Sequence, residues 1–226
     1  EAEAKLMLAV PAIAKSKFGG EVRGILQRTS FKKAQSFEEG KDYLQSAKSY
    51  EDFSKKHKNS DLATSARFNA AVNYERAGDL LKAISMYIGV TASRGSKTKD
   101  LRNRSRKFLG ALYEKTGQFG KAASEFEAYA AQNPKSKGVA DLHYNAAVIR
   151  DGMKYFTAAL KNYKLYLSKS RSADRYEAIF LMAKIHQRRG HLSKSLKEYQ
   201  RYMNSGARSE ENIVEAAFQI ATINER

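Results

Sequence analysis

Positive charge is concentrated between residues 94 and 107 of this 226-residue chain. The run contains Arg94, Lys97, Lys99, Arg102, Arg104, Arg106 and Lys107, with Asp100 as the one acid among them. We call Arg94, Lys97, Lys99, Arg102 and Arg106 the basic patch. On a helix Arg102 and Arg106 are neighbours that repel slightly, and an acidic partner bound by charge-assisted hydrogen bonds would relieve this repulsion. The alternative is a solvated loop and helix end.

The residue types that carry catalysis and metal binding are sparse or unsuitably spaced. There is no cysteine, which excludes disulfides, thiolate metal sites and cysteine nucleophiles. His186 and His191 are five residues apart, which does not place two metal ligands on one helix face. Gly89 to Thr98 falls short of a phosphate-binding loop, because its glycines are wrongly spaced and Ser96 precedes Lys97. We predict no catalytic residues, no metal site and no cofactor.

The composition indicates a helical chain with a strong positive charge. Apolar residues make up 42% and aromatic residues 11%, and only 2 prolines accompany abundant Ala, Lys, Leu and Glu. The 41 Lys and Arg against 24 Asp and Glu give a formal charge of +17. This balance favours an acidic protein, nucleic acid, anionic lipid or anionic envelope polymer as partner, unless the protein is simply basic all over. No run of about 18 apolar residues is present to span a membrane.

A register of anchor residues recurs at spacings of 37, 39, 37, 36 and 38. The anchors are Phe31, Phe68, Lys107, Tyr144, Phe180 and Phe218. A small residue stands three positions after each, at Ala34, Ala71, Gly110, Ala147, Ala183 and Ala221. Later in four of the repeats, a second small residue precedes an aromatic residue by four positions and a tyrosine or valine by seven, as in Ala122, Phe126 and Tyr129. Each repeat is therefore predicted to be two helices packed along an aromatic seam.

Residues that break helices separate these predicted elements. The turns within successive pairs are predicted at Gly40, Gly78, Gly117, Lys154 and Gly190. Pro134 ends the second helix of the third pair. Before the first pair, Ala2 to Lys17 is predicted to be one unpaired helix that Pro11 kinks.

The best-formed repeat contains, in order, Leu109, Gly110, Tyr113, Gly117, Ala122, Phe126, Tyr129 and Pro134. This stretch resembles the tetratricopeptide repeat (TPR) motif, a helix pair of about 34 residues. The resemblance implies an all-α, right-handed superhelical solenoid of about five helix pairs with half-units at both ends. The predicted segments are 1–20 (unpaired helix), 21–60, 61–97, 98–136, 137–172, 173–208 and 209–226 (lone first helix). Neither end shows a polar capping helix, so the natural chain is expected to continue.

Two inter-repeat connections share a further pattern. The segments from Tyr50 to Ser60 and from Phe126 to Ser136 both read aromatic–x–x–aromatic, followed by Asn and Ser. This pattern is similar to the TPRs of bacterial outer-membrane-assembly lipoproteins and of Tol–Pal-associated periplasmic coordinators. The resemblance implies a bacterial periplasmic or outer-membrane-associated location in a cell-envelope complex, with the cytoplasm as the alternative.

The TPR resemblance also implies where a partner binds, because first helices line the concave groove of such a repeat array. Carried onto this chain, the groove positions are Asn69, Val72, Arg76, Arg104, Lys107, Ala111, Asn145, Val148, Lys184 and Arg188. Asn69, Arg104 and Lys107 resemble part of a carboxylate clamp, but Phe31 and Gln35 stand where the clamp needs Lys and Asn. The alternative for Asn69 and Asn145 is hydrogen bonding between neighbouring helices.

These patterns favour a non-catalytic scaffold that binds a protein or peptide segment in the groove, and the positive charge favours an acidic segment. The alternative is binding of nucleic acid or another polyanion through the basic surface, which would weaken steeply with salt. A third possibility is the helical part of a longer enzyme whose catalytic residues lie elsewhere.

Overall fold

The computed structural model describes residues 2–206 and 209–225, and within these ranges the chain forms thirteen α-helices and no strand. The all-α prediction is confirmed. The helices divide into two compact units, the first ending at Leu112 and the second beginning at Tyr113. Among the described residues, no helix combines the length and the apolar character needed to cross a membrane.

The helices of the first unit are α1 (Ala2–Ala9), α2 (Pro11–Lys15), α3 (Lys17–Glu39), α4 (Tyr43–Lys56), α5 (Ala63–Arg76) and α6 (Leu80–Thr91). Helix α7 (Lys99–Lys115) begins in the first unit and ends in the second. The second unit continues with α8 (Phe119–Gln132), α9 (Val139–Gly152), α10 (Phe156–Lys169), α11 (Glu177–Arg188), α12 (Leu192–Met203) and α13 (Glu210–Asn224). Successive helices pack together from α1 to α6 in the first unit and from α8 to α13 in the second.

The predicted aromatic seam is present in the first unit. The ring of Phe31 on α3 lies 5.1 Å from Tyr50 and 5.6 Å from Phe53 on α4, measured between ring centroids. The next pair repeats this contact with Phe68 and Tyr87 at 5.7 Å. The edge-to-face arrangement of these pairs is the one that aromatic quadrupoles favour. The tyrosines of the seam are buried, so they form core and offer no platform for stacking bases.

The second unit has the same seam. Tyr144 lies 5.1 Å from Tyr166, and Phe180 lies 5.3 Å from Tyr202. The small residues of the register allow this close approach, and where serine replaces alanine it adds a hydrogen bond. The Ser195 hydroxyl donates to the carbonyl of Ala183 at 2.9 Å. In the first unit, Ser46 donates to the carbonyl of Ala34 at the same distance.

Each helix pair turns through one residue with left-handed backbone. These residues are Lys41 (φ 61°), Gly78 (83°), Gly117 (70°), Lys154 (62°) and Gly190 (71°). The prediction of Gly40 for the first turn is wrong by one position, because Gly40 keeps φ at −77° and its N–H still donates to Ser36. In every turn the residue that follows the left-handed one donates its N–H to a carbonyl five positions back, which terminates the helix.

The amino-terminal segment differs from its prediction. Ala2 to Lys17 is not one kinked helix, since the chain breaks between α1 and α2 at Val10, with Pro11 as the first residue of α2. The boundary at residue 20 is also wrong, because Ser16 caps α3 by accepting the N–H of Gly19 at 3.1 Å. Helices α1 and α2 pack on α3. Gly19 permits this packing, because a Cβ there would lie 2.1 Å from the carbonyl oxygen of Ile13.

Candidate functional site

The first candidate surface lies on α5 and α7 of the first unit. The Arg104 guanidinium on α7 is placed over the Phe68 ring of α5, 4.6 Å from its centroid. Arg104, Lys107 and Ala111 are all exposed, and their spacing of three and seven residues puts them on one face of α7. Val72, one turn beyond Phe68 on α5, is half-buried. The structure thus places the predicted groove residue Arg104 against the preceding first helix, one turn before Val72.

Asn69 takes part in internal packing. Burial raises the pKa of the Tyr50 hydroxyl, and a hydrogen bond with the Asn69 side chain opposes this shift. This contact supports the alternative in which Asn69 links neighbouring helices. The residue after Lys107 also departs from the carboxylate clamp, since Phe108 stacks on Tyr87 with centroids 5.3 Å apart and planes within 12°.

Arg76 lies on the predicted groove but already has an acidic neighbour. Its Nη1 is 2.7 Å from Oε1 of Glu38, which is on the preceding first helix, α3. Its guanidinium also lies 5.4 Å from the centre of the Tyr43 ring. Arg76 therefore links two consecutive repeats of the first unit.

The basic patch divides into exposed and internally bonded cations. Arg94 and Lys97 are exposed in the loop between α6 and α7, and Lys99 is exposed at the first position of α7. Arg102 instead turns back onto this loop, where its Nη1 lies 2.7 Å from the Gly95 carbonyl and also contacts Ser93 and Thr98. Acceptors of its own loop thus use the donors of Arg102 in this structure, and its role in contacting a partner stays a prediction. Arg106 is half-buried.

In the second unit, Arg188 repeats the arrangement of Arg76. It donates to both carboxylate oxygens of Asp151 on α9, at 2.6 and 2.7 Å, and covers the Phe156 ring. Two further predicted groove residues, Asn145 and Val148, lie on α9 and are exposed.

Lys184 lines a second candidate surface, formed by α9, α11 and α13. Its Nζ lies 5.3 Å from the centre of the Phe180 ring, beside a cavity of about 600 Å³ that Tyr144 and Asn212 also line. Carboxylates surround this cation. Glu177 lines the same cavity, and Glu210, Glu211 and Glu215 line an adjoining one. This surface therefore has mixed charge, in contrast to the basic surface of the first unit.

A buried polar network of the second unit was not predicted from the sequence. Asn162 donates to Glu127 at 2.8 Å and contacts Nδ1 of His143 at 3.0 Å, while Arg150 donates to both carboxylate oxygens of Glu127. Burial raises the pKa of the Glu127 carboxyl, but the hydrogen bonds from Arg150 and Asn162 outweigh it and lower the pKa below the ordinary value. An equivalent contact in the first unit joins Glu51 to the Tyr74 hydroxyl. Glu127 and Arg150 are 23 positions apart, as are Glu51 and Tyr74.

Within residues 2–206 and 209–225, no group of three or more His, Asp or Glu side chains could hold a metal ion. The rings of His186 and His191 lie 6.1 Å apart. Burial, the largest cause, lowers the pKa of His186 below its ordinary value, which is typical of a histidine used for packing.

Comparisons with known proteins agree with this architecture. Residues 28–60 match the family model of the tetratricopeptide repeat. A tetratricopeptide repeat protein from Parabacteroides merdae superposes with a TM-score of 0.51 at 15% identity, covering 88% of this chain and 76% of its own. MamA protein gives a TM-score of 0.51 at 14% identity, covering 80% of this chain and 92% of its own. At this identity the likeness shows the fold. No curated protein sequence matches the chain.

Proteins built from these repeats generally serve as non-enzymatic scaffolds for protein–protein interaction. The matched segment contains the Phe31–Tyr50 seam described above. Residues 28–60 of this chain therefore match the tetratricopeptide repeat, within a helical fold similar to that of tetratricopeptide repeat proteins.

Proposed function

We propose that the chain is a non-catalytic protein-interaction scaffold, in which the α5–α7 surface binds an acidic segment of a partner protein. The observation that carries this proposal is the position of Arg104 over Phe68. The ring holds the guanidinium in place, while the side chain remains 53% exposed and its nearest acid, Asp100, is 3.9 Å away and itself exposed. An exposed cation that is already ordered loses less conformational entropy when it binds a carboxylate.

Apolar surface beside this cation supports a protein partner over a simple polyanion. Val72 and Ala111 are accessible on α5 and α7, and Phe108 is 37% exposed. A peptide can bury such surface as well as pair with Arg104 and Lys107. We assign the acidic part of the partner to the first unit alone, because four carboxylates line the cavities around Lys184 in the second unit. Val148 and Lys184 there would bind an apolar or mixed-charge segment.

We further propose a bacterial cell-envelope location, either periplasmic or outer-membrane-associated. The support is the similarity of two connections to envelope TPRs, and those connections share their backbone hydrogen bonds. Ser60 and Ser136 each donate their N–H to the residue three before, and each accepts from the residue three after. Fractionation of cells that make the protein from its natural gene tests the location, and recovery from the cytoplasm would contradict it.

Peptide selection followed by titration tests the binding function. Random peptides would be selected on the immobilised protein, and the affinity of the enriched sequences measured in solution. We expect acidic peptides to be enriched, and we expect Arg104→Glu/Lys107→Glu to weaken them at least about tenfold, since two charge-assisted contacts are reversed. Lys194→Glu/Lys197→Glu, with the same charge change on exposed positions of α12, is the matched control.

Three results would contradict the proposal. One is selection of peptides without acidic residues, and another is an equal loss of affinity in both charge-reversal variants. The third is that the material captured from cell extract is lost on nuclease treatment. The logarithm of the binding constant would then fall with the logarithm of salt concentration, with a slope of about 0.9 per phosphate contacted. That result would establish nucleic-acid binding instead.

A further inference from the structure

A cavity of about 720 Å³ lies in the first unit, where the loop after α4 passes along α3. Four cations line it, Arg28 from α3 and Lys55, Lys56 and Lys58 from the end of α4 and its loop. Asp61 is the one carboxylate among its lining residues. Most of its lining residues lie within the matched segment 28–60, and none of them belongs to the α5–α7 surface.

Two of these cations are not neutralised by the protein. Lys55 and Lys56 pair with acids one turn earlier on α4, at 2.6 and 3.6 Å. In the part of the chain that the structure describes, neither Arg28 nor Lys58 forms an ion pair. Asp61 offsets little of this charge, because its Oδ2 lies 3.7 Å from the Nζ of Lys97, a member of the basic patch. The cavity is therefore a site of net positive charge to which the basic patch adds.

One part of the cavity wall, next to Arg28, lacks a side chain. Gly24 lies one turn earlier on α3, and a Cβ at Gly24 would lie 3.4 Å from Nη1 of Arg28. The guanidinium thus lies against bare backbone. Gln27, Asn59 and Ser60 contribute uncharged hydrogen-bonding groups to the lining. His57 is the single aromatic residue among the described lining residues, so the site offers little surface for stacking a nucleobase.

We propose that this cavity binds a compact polyphosphate anion of about triphosphate size, with Arg28 and Lys58 as its principal contacts. A guanidinium binds phosphate oxygens through paired donors, and a lysine adds a point charge. The volume exceeds what one phosphate group fills, and several cations along one cavity match a chain of phosphates. This inference goes beyond the scaffold function and does not depend on it.

Isothermal titration calorimetry with sodium tripolyphosphate tests the site, in low-salt buffer free of phosphate, with the folded chain. We expect tripolyphosphate to bind at one saturable site. Orthophosphate should bind with an affinity at least about tenfold lower, because it reaches fewer cations. Arg28→Glu/Lys58→Glu should lower the affinity for tripolyphosphate at least about tenfold. Gly24→Leu should also lower the affinity for tripolyphosphate without altering the charge, since its side chain fills the space beside Arg28. Leucine favours helix more than glycine does, so this variant should fold.

The control is again Lys194→Glu/Lys197→Glu, which should retain tripolyphosphate affinity within about twofold after correction for net charge. Circular dichroism checks that each variant is folded. Absence of saturable tripolyphosphate binding would overturn the proposal. So would equal weakening in the cavity and control variants, or unchanged affinity in Gly24→Leu. Binding of oligothymidylate that requires Arg28 and Lys58, without tripolyphosphate binding, would replace the proposed site with one for single-stranded nucleic acid.

Discussion

Arg188 donates to both carboxylate oxygens of Asp151, which is 37 positions earlier in the chain. In the first unit Arg76 contacts Glu38, 38 positions earlier, so the same link joins consecutive first helices in both units. In each case the arginine is about half exposed and the acid is more buried. These arginines thus contribute to the cohesion of the repeats, although they occupy positions that the family uses for partner contacts.

The first prediction concerns this link. We expect Arg188→Ala and Asp151→Asn to be non-additive, with a coupling free energy of about 1 kcal/mol at low salt, because the pair is bidentate but partly exposed. Urea unfolding of both single variants and the double variant measures the coupling. The same cycle on the exposed pair Lys56 and Asp52 should give less than about 0.5 kcal/mol. Additive effects at Arg188 and Asp151 would show that the contact contributes no net stability.

The second prediction concerns Lys154, which adopts a left-handed backbone where three other turns have glycine. We expect Lys154→Gly to raise the free energy of unfolding by about 0.5–1 kcal/mol, since it removes backbone strain at some cost in unfolded-state entropy. The reciprocal change, Gly190→Lys, should be destabilising by about 1 kcal/mol. No atom lies within 4 Å of a Cβ at Gly190, so its cost would come from the backbone alone. Thermal unfolding of both variants decides the matter, and a destabilised Lys154→Gly would disprove the strain argument.

The third prediction concerns Gly19, where α2 closely approaches α3. A Cβ at Gly19 would lie 2.1 Å from the carbonyl oxygen of Ile13, so we expect Gly19→Ala to separate α2 from α3. Hydrogen exchange should then be faster in α1 and α2 and nearly unchanged in α4 to α6. Gly20→Ala is the matched control, because nothing lies within 4 Å of its Cβ and alanine favours helix by about 1 kcal/mol. Unchanged protection of α2 in Gly19→Ala would rule out this packing.

The fourth prediction concerns Glu127, whose pKa lies below its ordinary value of 4.5 in spite of burial. A carboxyl with a lowered folded-state pKa stabilises the fold above its unfolded pKa, and this contribution is lost as the pH falls through the folded pKa. We expect Glu127→Gln to lower the free energy of unfolding by about 1.5–3 kcal/mol near neutral pH. The difference from the native protein should shrink below a pH of about 4.5.

Urea unfolding at several pH values measures this difference. Glu211→Gln, at an exposed position of α13, should leave the free energy of unfolding nearly unchanged at every pH. The loss of unfolding free energy in Glu127→Gln could instead be the same at every pH. In that case the amide fits the site less well, and ionisation of Glu127 does not contribute to stability.

The helix pairs could be predicted from the sequence because their packing depends on residue size at fixed spacing. Phe31, Tyr144 and Phe180 recur with the repeat, and each contacts the aromatic residues of the following helix. Lys41 was missed because the helix before it ends one residue later than the position of Gly40 indicates.

The roles of the charged residues were harder to predict, since they depend on which acceptor each long side chain reaches. Arg102 binds carbonyls of its own loop, and Arg188 reaches an acid one repeat away. Neither acceptor is marked by local spacing. The cavity beside Arg28 was missed for a related reason, because its lining joins residues of α3 to a loop about 30 positions later.

The links between consecutive first helices also bear on how the chain folds. Arg76 and Arg188 contact acids only about one repeat away, so these contacts close short loops. Chains rich in such sequence-local contacts fold quickly, and repeat arrays can nucleate at any stable pair and extend in either direction. Weakening one link should therefore increase unfolding near that link before the rest of its unit is affected.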